Sequence, residues 1–292
     1  SAHLVNEHLY LREDGQLAPE VLAAQRTIRM RSAERGLYAL HMPKEVGGGG
    51  FSLTDMFFVH EAVYQHGIGV SQWMLSWTEG PNRMLMFLTD EQKRKYLAPM
   101  MRGEWTAAYA ITEYRGGSDV LGMETRAERR GDEWVLNGTK AYITNAPYAE
   151  LMLVCAMTDP SKHGAGGTTF IVERDAPGLH IGRTYRTIMD DGMTGELRFD
   201  NCRVPLDHTW GNEGEVFYLS MGMINWIRVR RGGMCTGLGQ YLLDRCIAYI
   251  KNRQAFGGPL SRFQALQWMI VDSYLDVQAM RALSLQSLWQ AD

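Results

Sequence analysis

Tyr109-Ala-Ile-Thr-Glu-Tyr-Arg-Gly-Gly-Ser-Asp119 is the stretch on which the fold turns, because the patterning is helical before it and strand-like after it. The small apolar run Ala107 to Ile111 reads as a strand ending in the hydroxyl of Thr112 and the acid of Glu113. Gly116 and Gly117 then open a tight loop where backbone can come close to a ligand, and Ser118 and Asp119 offer hydrogen bonds at that point. A plain strand leaving through a Gly-Gly turn, with the serine closing an ST-turn, has the same sequence, so this stretch alone leaves both readings open.

Upstream, to about Glu104, the signals are helical. Pro19 suits a first helical turn and Gly36 a stop after Arg35. Gly47 to Gly50 has no following Gly-Lys-Ser/Thr, so it reads as a flexible turn, and Ser52-Leu-Thr-Asp55 starts the next helix. His60 and Glu61 are adjacent rather than on one face, which suits a surface or helix-packing role. Trp73, Leu75, Trp77, Met84, Met86 and Phe87 read as core filling in a segment interrupted at Gly80-Pro81. Thr89-Asp-Glu-Gln92 is a capping-box signature for a helix ending near Gly103.

Downstream, from Trp105 to Pro205, β-branched and apolar runs recur between turn signals: Trp134 to Leu136, Ala141 to Thr144, Leu151 to Met157, Thr168 to Val172 and Leu197 to Phe199. The spacing predicts a small sandwich or barrel. Asn137-Gly138 predicts a type I′ hairpin. Tyr142 and Thr144 are two apart and face one side of a strand, as a stacking and hydrogen-bonding platform or as an ordinary edge pair.

From about Gly214 the pattern is helical again, with Gly232, Gly233, Gly237 and Gly239 allowing close packing. Arg228, Arg230 and Arg231 sit among apolar residues, which favours a phosphate or carboxylate over a solvated face. After Gly258-Pro259 a second helix carries Leu266, Met269, Ile270, Tyr274, Val277 and Met280 at helical spacing. That stripe still runs, through Leu283, Leu288 and Trp289, at Asp292, so partner helices are expected from the rest of a C-terminal bundle or from another subunit.

The bulk numbers exclude several classes. With 292 residues the chain is long enough for two or three domains, and a net charge of −3 gives no field for nucleic acid or a membrane surface. No apolar run reaches the roughly 18 to 20 residues of a membrane span, and Ser1 to Leu11 lacks signal-peptide layout. A soluble cytoplasmic protein is expected, or a mitochondrial-matrix one if eukaryotic. Cys155, Cys202, Cys235 and Cys246 have no metal-ligand spacing, so buried, reduced thiols and no metal site are expected.

Taken in order, Tyr109-Ala-Ile-Thr-Glu with Gly117-Ser-Asp119, then Gly131-Asp-Glu-Trp-Val-Leu-Asn-Gly-Thr-Lys140 leading to Tyr142-Ile-Thr-Asn145, then Val204-Pro205, then Arg253, Phe256-Gly257 and Gln264, resemble the acyl-CoA dehydrogenase family over essentially the whole chain. The resemblance implies an α+β multidomain fold: an N-terminal helical domain (1–104), a middle β-barrel or sandwich domain (105–212), and a C-terminal helical bundle (213–292) represented by its first two helices. It implies FAD, lined by Tyr109, Ile111, Thr112, Gly117, Ser118, Tyr142, Ile143 and Thr144. Arg253, Phe256 and Gln264 would contact the pyrophosphate and adenosine of a neighbouring subunit's FAD. Ser118 and Arg228 would lie beside the pantetheine and CoA parts of an acyl-CoA substrate. The implied reaction is α,β-desaturation with hydride transfer to flavin N5, electrons passing to an electron-transfer flavoprotein, in a homodimer or homotetramer. A flavin monooxygenase or oxidase on the same fold, or a non-catalytic flavin-holding subunit, are the alternatives.

The chain also departs from that pattern. Tyr114 and Arg115 stand where a proline and a small residue are usual. Met189-Asp-Asp-Gly-Met-Thr-Gly195 lacks the usual arginine and serine. Ile227 occupies the alternative position of the catalytic base, and the usual late Tyr-Glu-Gly type segment is not in the sequence, so no base is named.

Overall fold

Proline at position 19 fixes φ where a helix leaves an N–H unpaired anyway, and α1 (Pro19–Glu34) begins there. It stops where Gly36 takes a left-handed φ of +71° and donates its N–H to the Ala33 carbonyl. The computed structural model describes residues 10–67, 71–77, 79–188 and 192–292. The Met189-Asp-Asp part of the loop noted above therefore lies outside the described residues.

The capping box expected at Thr89 forms, and the helix start at Ser52 is one as well. Ser52 accepts from the Asp55 N–H and Asp55 accepts from the Ser52 N–H at the start of α2 (Leu53–Tyr64). Thr89 and Gln92 do the same, but the helix they open runs as an α-turn, a π-turn over Lys93–Leu97 and a last α-turn to Met101. The glycine run at 47–50 is not a flexible turn. Gly48 and Gly50 donate to the carbonyls of Pro43 and Met42, and a Cβ on Gly48 would lie 2.1 Å from the Met42 oxygen. Those glycines permit a close backbone crossing.

The strands are β1 (Ala107–Ala110), β2 (Arg126–Arg130), β3 (Glu133–Thr144), β4 (Leu151–Met157), β5 (Gly167–Glu173), β6 (Leu179–Thr184), β7 (Thr194–Pro205) and β8 (Thr209–Trp210). They form one sheet in the order β6-β7-β3-β2-β4-β5-β8, with β1 added parallel to β4. The path has two ends rather than a closure, so among the described residues the domain is not a closed barrel. Every residue of β4 is buried, which explains its unbroken apolar sequence. Its inward residues share a core with Trp134, Leu136, Ile143, Phe170, Leu197 and Val204.

The hairpin expected at Asn137-Gly138 is absent, and both residues lie inside β3. The turn between β2 and β3 is at Gly131, which has φ +64°. Gly138 instead marks a slip in the β3–β7 register, and a Cβ there would lie 2.6 Å from Thr125 Oγ1 and 2.7 Å from its Cα. Asn137 Oδ1 accepts the Asn201 N–H. The extra residue of that slip lies on β7, where Asp200 and Asn201 together face Asn137 and Asn201 takes a φ of +48°.

The C-terminal helices are α3 (Val216–Asn252) and α4 (Gln264–Ala291), joined by a tight hairpin in which Phe256 and Gly257 both have positive φ. The small-residue run works as expected. Cβ atoms on Gly233 and Gly237 would meet the carbonyl oxygens of Phe57 and Glu61 on α2 at 2.5 and 2.3 Å, and one on Gly232 would meet Ser284 on α4. Glu61 pairs with Arg281 at 2.7 Å, and His60 contacts Arg230, so both residues pack helices rather than face solvent. Arg228, Arg230 and Arg231 do not form one anion site. Arg230 is buried with its guanidinium 4.1 Å over the Trp226 ring, while Arg228 and Arg231 are exposed, since residues one and two positions apart on a helix do not share a face. The α4 stripe is partly covered: Val277 and Leu288 are buried, while Met269, Tyr274, Leu283 and Trp289 are exposed. Cys155 and Cys202 are buried, but Cys235 and Cys246 are exposed, contrary to expectation.

Contacts divide the chain into two units. The chain up to Ala39 with Ser76–Met223 forms one, and Leu40–Leu75 with Ile224–Asp292 the other. Among the described residues no helix is long and apolar enough to cross a membrane, and no group of His, Cys, Asp and Glu has a metal-holding arrangement.

Candidate functional site

In the first unit the chain leaves β1 into a turn closed by a mutual pair of backbone bonds between Glu113 and Gly116, 3.2 and 3.1 Å long. The side chain of Glu113 anchors this turn. Its Oε1 accepts from Thr125 Oγ1 (2.6 Å), the Thr125 N–H (3.0 Å) and Lys140 Nζ (2.8 Å), and its Oε2 accepts from the Glu124 N–H (2.6 Å). Lys140, on β3, is fully buried and also donates to the Ile111 carbonyl at 2.9 Å. Burial pushes the Glu113 carboxyl up, but Lys140, Thr125 and the Glu124 N–H outweigh it and hold the group below the usual carboxylate range. The acid that ends the β1 run is thus a structural tie. Its partner Lys140 was not singled out, although a lysine between Thr139 and the buried Ala141 on a strand is a recognisable signal of a paired charge.

This tie sets the loop against the end of β3. The Ala141 N–H donates to the Thr112 carbonyl at 2.9 Å. Ala141 and Ile143 are buried and Tyr142 and Thr144 are exposed, so the two residues expected to share a face do. Tyr142 is 54% exposed and has φ +59°, a strained conformation for an aromatic residue. Three residues later Asn145 is also left-handed, fixed by its side-chain amide on the Ala107 carbonyl and its N–H on that of Met193.

Thr112 is half-buried and Ser118 exposed, and the hydroxyls of Thr112, Ser118 and Thr144 have no partner among the described residues. A Cβ on Gly117 would come within 3.3 Å of Thr112 Cγ2, so the glycine leaves the Thr112 side chain clear, and Gly116 has open space around it. Ile111 packs on Met123, Cys155, Met157 and Val216. The Tyr109 ring meets Trp210 edge-on at 5.5 Å, and its hydroxyl is buried without a partner among the described residues. Burial, and then Cys155, push that hydroxyl's pKa well up. Tyr109 therefore offers a ligand its backbone or ring rather than its hydroxyl.

A cavity of about 240 Å³ is lined by Ile111, Glu113, Arg115, Gly116, Asp119 and Val120 among others. Arg115 pairs with Glu124 at 2.8 Å on its rim. Asp119 is occupied, accepting from the Gly122 N–H as the cap of a short 3₁₀ turn.

In the second unit, Arg253, Phe256 and Gln264 cluster around the hairpin between α3 and α4. All three are exposed, Phe256 to 85%. Ile227 is half-buried and Arg228 exposed on α3.

Residues 10–104, 108–202 and 214–292 match, in turn, the families described as Acyl-CoA dehydrogenase, N-terminal domain, middle domain, and C-terminal domain. The chain is 34% identical over 256 residues to the cyclohex-1-ene-1-carbonyl-CoA dehydrogenase of Syntrophus aciditrophicus (strain SB), covering 86% of this chain and 61% of that one. It is 32% identical over 265 residues to the probable acyl-CoA dehydrogenase YngJ of Bacillus subtilis (strain 168), covering 90% of this chain and 70% of that one. The chain thus spans less than two thirds of the first of these relatives. Among solved structures it is similar to the FAD complex of PigA, with TM-score 0.83 and 26% identity over 93% of this chain and 73% of that one. With its helices, open sheet and helices in that order, and with matches along nearly its whole length, the chain belongs to the acyl-CoA dehydrogenase family.

Proposed function

We propose that this chain holds FAD and takes part in α,β-dehydrogenation of an acyl-CoA thioester. The observation that carries the reading is the end of β3 beside the β1 loop. Two threonine hydroxyls without partners among the described residues, Thr112 and Thr144, accompany a half-exposed aromatic ring and a glycine turn. That donor set fits a flat, heteroatom-edged ring, and a hydroxyl already aimed at such an edge stabilises negative charge there without reorganising. When bound, FAD supplies the hydride acceptor.

The protein's residues bind and orient. Thr112, Gly117, Ser118, Tyr142 and Thr144 form the wall, with Tyr109, Ile111 and the buried Ile143 contributing backbone and packing. Ser118 and Arg228 serve the pantetheine and CoA parts of the thioester. Arg253, Phe256 and Gln264 reach the pyrophosphate and adenosine of a neighbouring subunit's FAD in a homodimer or homotetramer. The exposure of Phe256 supports that role, since a bare aromatic ring on a rigid hairpin gains by being covered. Domain limits at 104/105 and 212/213, an electron-transfer flavoprotein as acceptor, and a cytoplasmic or mitochondrial-matrix location belong to the same reading. Ile227 cannot remove a proton, so the base lies elsewhere; a positioned base is worth about 10²–10⁴ in rate.

Anaerobic titration of the flavin-loaded protein, made from its complete gene, tests this. The yellow absorbance is expected to bleach with at least one of a panel of short, long, branched and aromatic acyl-CoA thioesters. Failure with all of them overturns the dehydrogenase reading. Oxygen-dependent turnover that ignores CoA would identify an oxidase or monooxygenase instead.

A further inference from the structure

Three tyrosine rings distant in sequence meet beside the loop that leaves β1. The Tyr142 ring lies 4.6 Å from that of Tyr185, tilted 36°, and 6.0 Å from that of Tyr114, nearly edge-on at 74°. The hydroxyls of Tyr114 and Tyr185 are 2.6 Å apart. Tyr114 donates to Glu196 Oε2 and accepts from Arg183 at 2.9 Å, while Tyr185 lies 3.4 Å from the same Glu196 oxygen. The Arg183 guanidinium lies 4.9 Å over the Tyr185 ring and 5.7 Å over that of Tyr114. The phenol protons can all be accommodated: that of Tyr114 goes to the carboxylate, and that of Tyr185 to the Tyr114 oxygen or the carboxylate.

The arrangement has a purpose that packing alone does not supply. Tyr142 is half-exposed at the end of a strand, on a backbone turned into the left-handed region, with no hydrogen bond from its own hydroxyl among the described residues. Such a ring would ordinarily sample several rotamers. Two jaws hold it, joined at their tips by one carboxylate and one guanidinium. One jaw, Tyr114, stands where the family pattern has proline, so the grip is a feature of this chain.

We propose that Tyr114 and Tyr185 are positioning residues that clamp the Tyr142 ring, with Glu196 and Arg183 locking the clamp, so that the ring presents one fixed face to the flavin. The proposal rests on the FAD reading above. It assigns Tyr114 and Tyr185 to orienting Tyr142, not to touching the substrate.

The test titrates FAD into wild type, Tyr114→Phe, Tyr114→Ala and Tyr185→Phe, reading bound-flavin emission, flavin midpoint potential and, without FAD, the near-ultraviolet circular dichroism of the tyrosines. Tyr114→Ala is expected to shift the held-to-rotated ratio of the Tyr142 ring by about 2- to 12-fold, the worth of one aromatic pair. The shift reads out as weaker tyrosine dichroism, brighter bound flavin and a displaced potential. Tyr114→Phe, which keeps the ring edge and loses the tie, falls between wild type and Tyr114→Ala, and Tyr185→Phe resembles it. Unchanged emission and potential in Tyr114→Ala, with only a lower melting temperature, overturns the proposal. Wild-type protein that binds no FAD overturns the flavin reading instead, and the dichroism of the ligand-free protein then decides the clamp by itself.

Discussion

Replacing Lys140 by methionine is expected to lower the unfolding free energy by about 3–5 kcal/mol, the cost of leaving a buried charge without its partner. Lys140 is fully buried and Glu113 nearly so, and the pair is the junction through which the β1 loop is fixed to β3. Methionine matches the length of the lysine stem but leaves the Glu113 carboxylate facing an apolar neighbour and the Ile111 carbonyl without its donor. Chemical denaturation at neutral pH reads the loss. The pH dependence supplies a second check with a definite sign. In the wild type the folded-state pKa of Glu113 is depressed, so its contribution is present above the unfolded value of about 4.3 and is lost as pH falls through the folded value. In Lys140→Met burial prevails and raises that pKa, so the folded variant takes up a proton where the wild type does not. The stability gap between the two proteins should therefore begin to narrow above about pH 4.3, as the variant's raised carboxyl protonates, and narrow further below it, as the wild type loses the contribution of Glu113. A gap that is small at neutral pH, or constant down to the acid transition, would show that the pair is not the tie described here.

Gly237→Ala should destabilise the second unit by about 1–3 kcal/mol or somewhat more, against the usual gain of about 1 kcal/mol for alanine over glycine inside a helix. The new Cβ would lie 2.3 Å from the Glu61 carbonyl oxygen and 3.1 Å from its Cα, and these are backbone atoms of α2 that no rotamer change can move. Relief requires α2 and α3 to part. Gly239→Ala on the same helix is the matched control. Its Cβ would meet only side-chain atoms, Val277 Cγ2 at 3.0 Å and Met280 Cε at 3.7 Å, and side chains can yield, so propensity and crowding nearly offset each other. Urea denaturation of both variants separates the two cases, and equal stability of Gly237→Ala and wild type would refute the close crossing.

The contrast between these sites shows where sequence patterns carry structure and where they do not. Capping boxes at Ser52 and Thr89, the buried run of β4 and the small-residue crossings of α3 are local or periodic rules, and each formed. Asn137-Gly138 failed because a positive-φ glycine serves a close approach inside a strand as well as a hairpin turn, and only the neighbour it meets, Thr125, distinguishes them. The glycine run at 47–50 failed for a related reason: absence of side chains means freedom in one context and close backbone contact in another. The arginine cluster dissolved once helical phase separated Arg230 from Arg228 and Arg231. At the candidate site, the faces of Tyr142 and Thr144 follow from strand alternation. The Glu113–Lys140 tie and the meeting of Tyr114, Tyr142 and Tyr185 depend on pairings across 27 or more residues, which no local pattern encodes.

The most direct measurement is the FAD affinity of the wild-type protein beside that of Thr112→Val/Thr144→Val, followed by flavin emission. Thr144 is exposed, Thr112 is half-buried, and neither hydroxyl bonds to protein among the described residues, so their removal should leave folding intact. The account predicts stoichiometric binding by the wild type and about 5- to 150-fold weaker binding by the double variant, the worth of two hydrogen bonds to the ligand. Equal affinity of the two proteins, or no binding by the wild type, would contradict it.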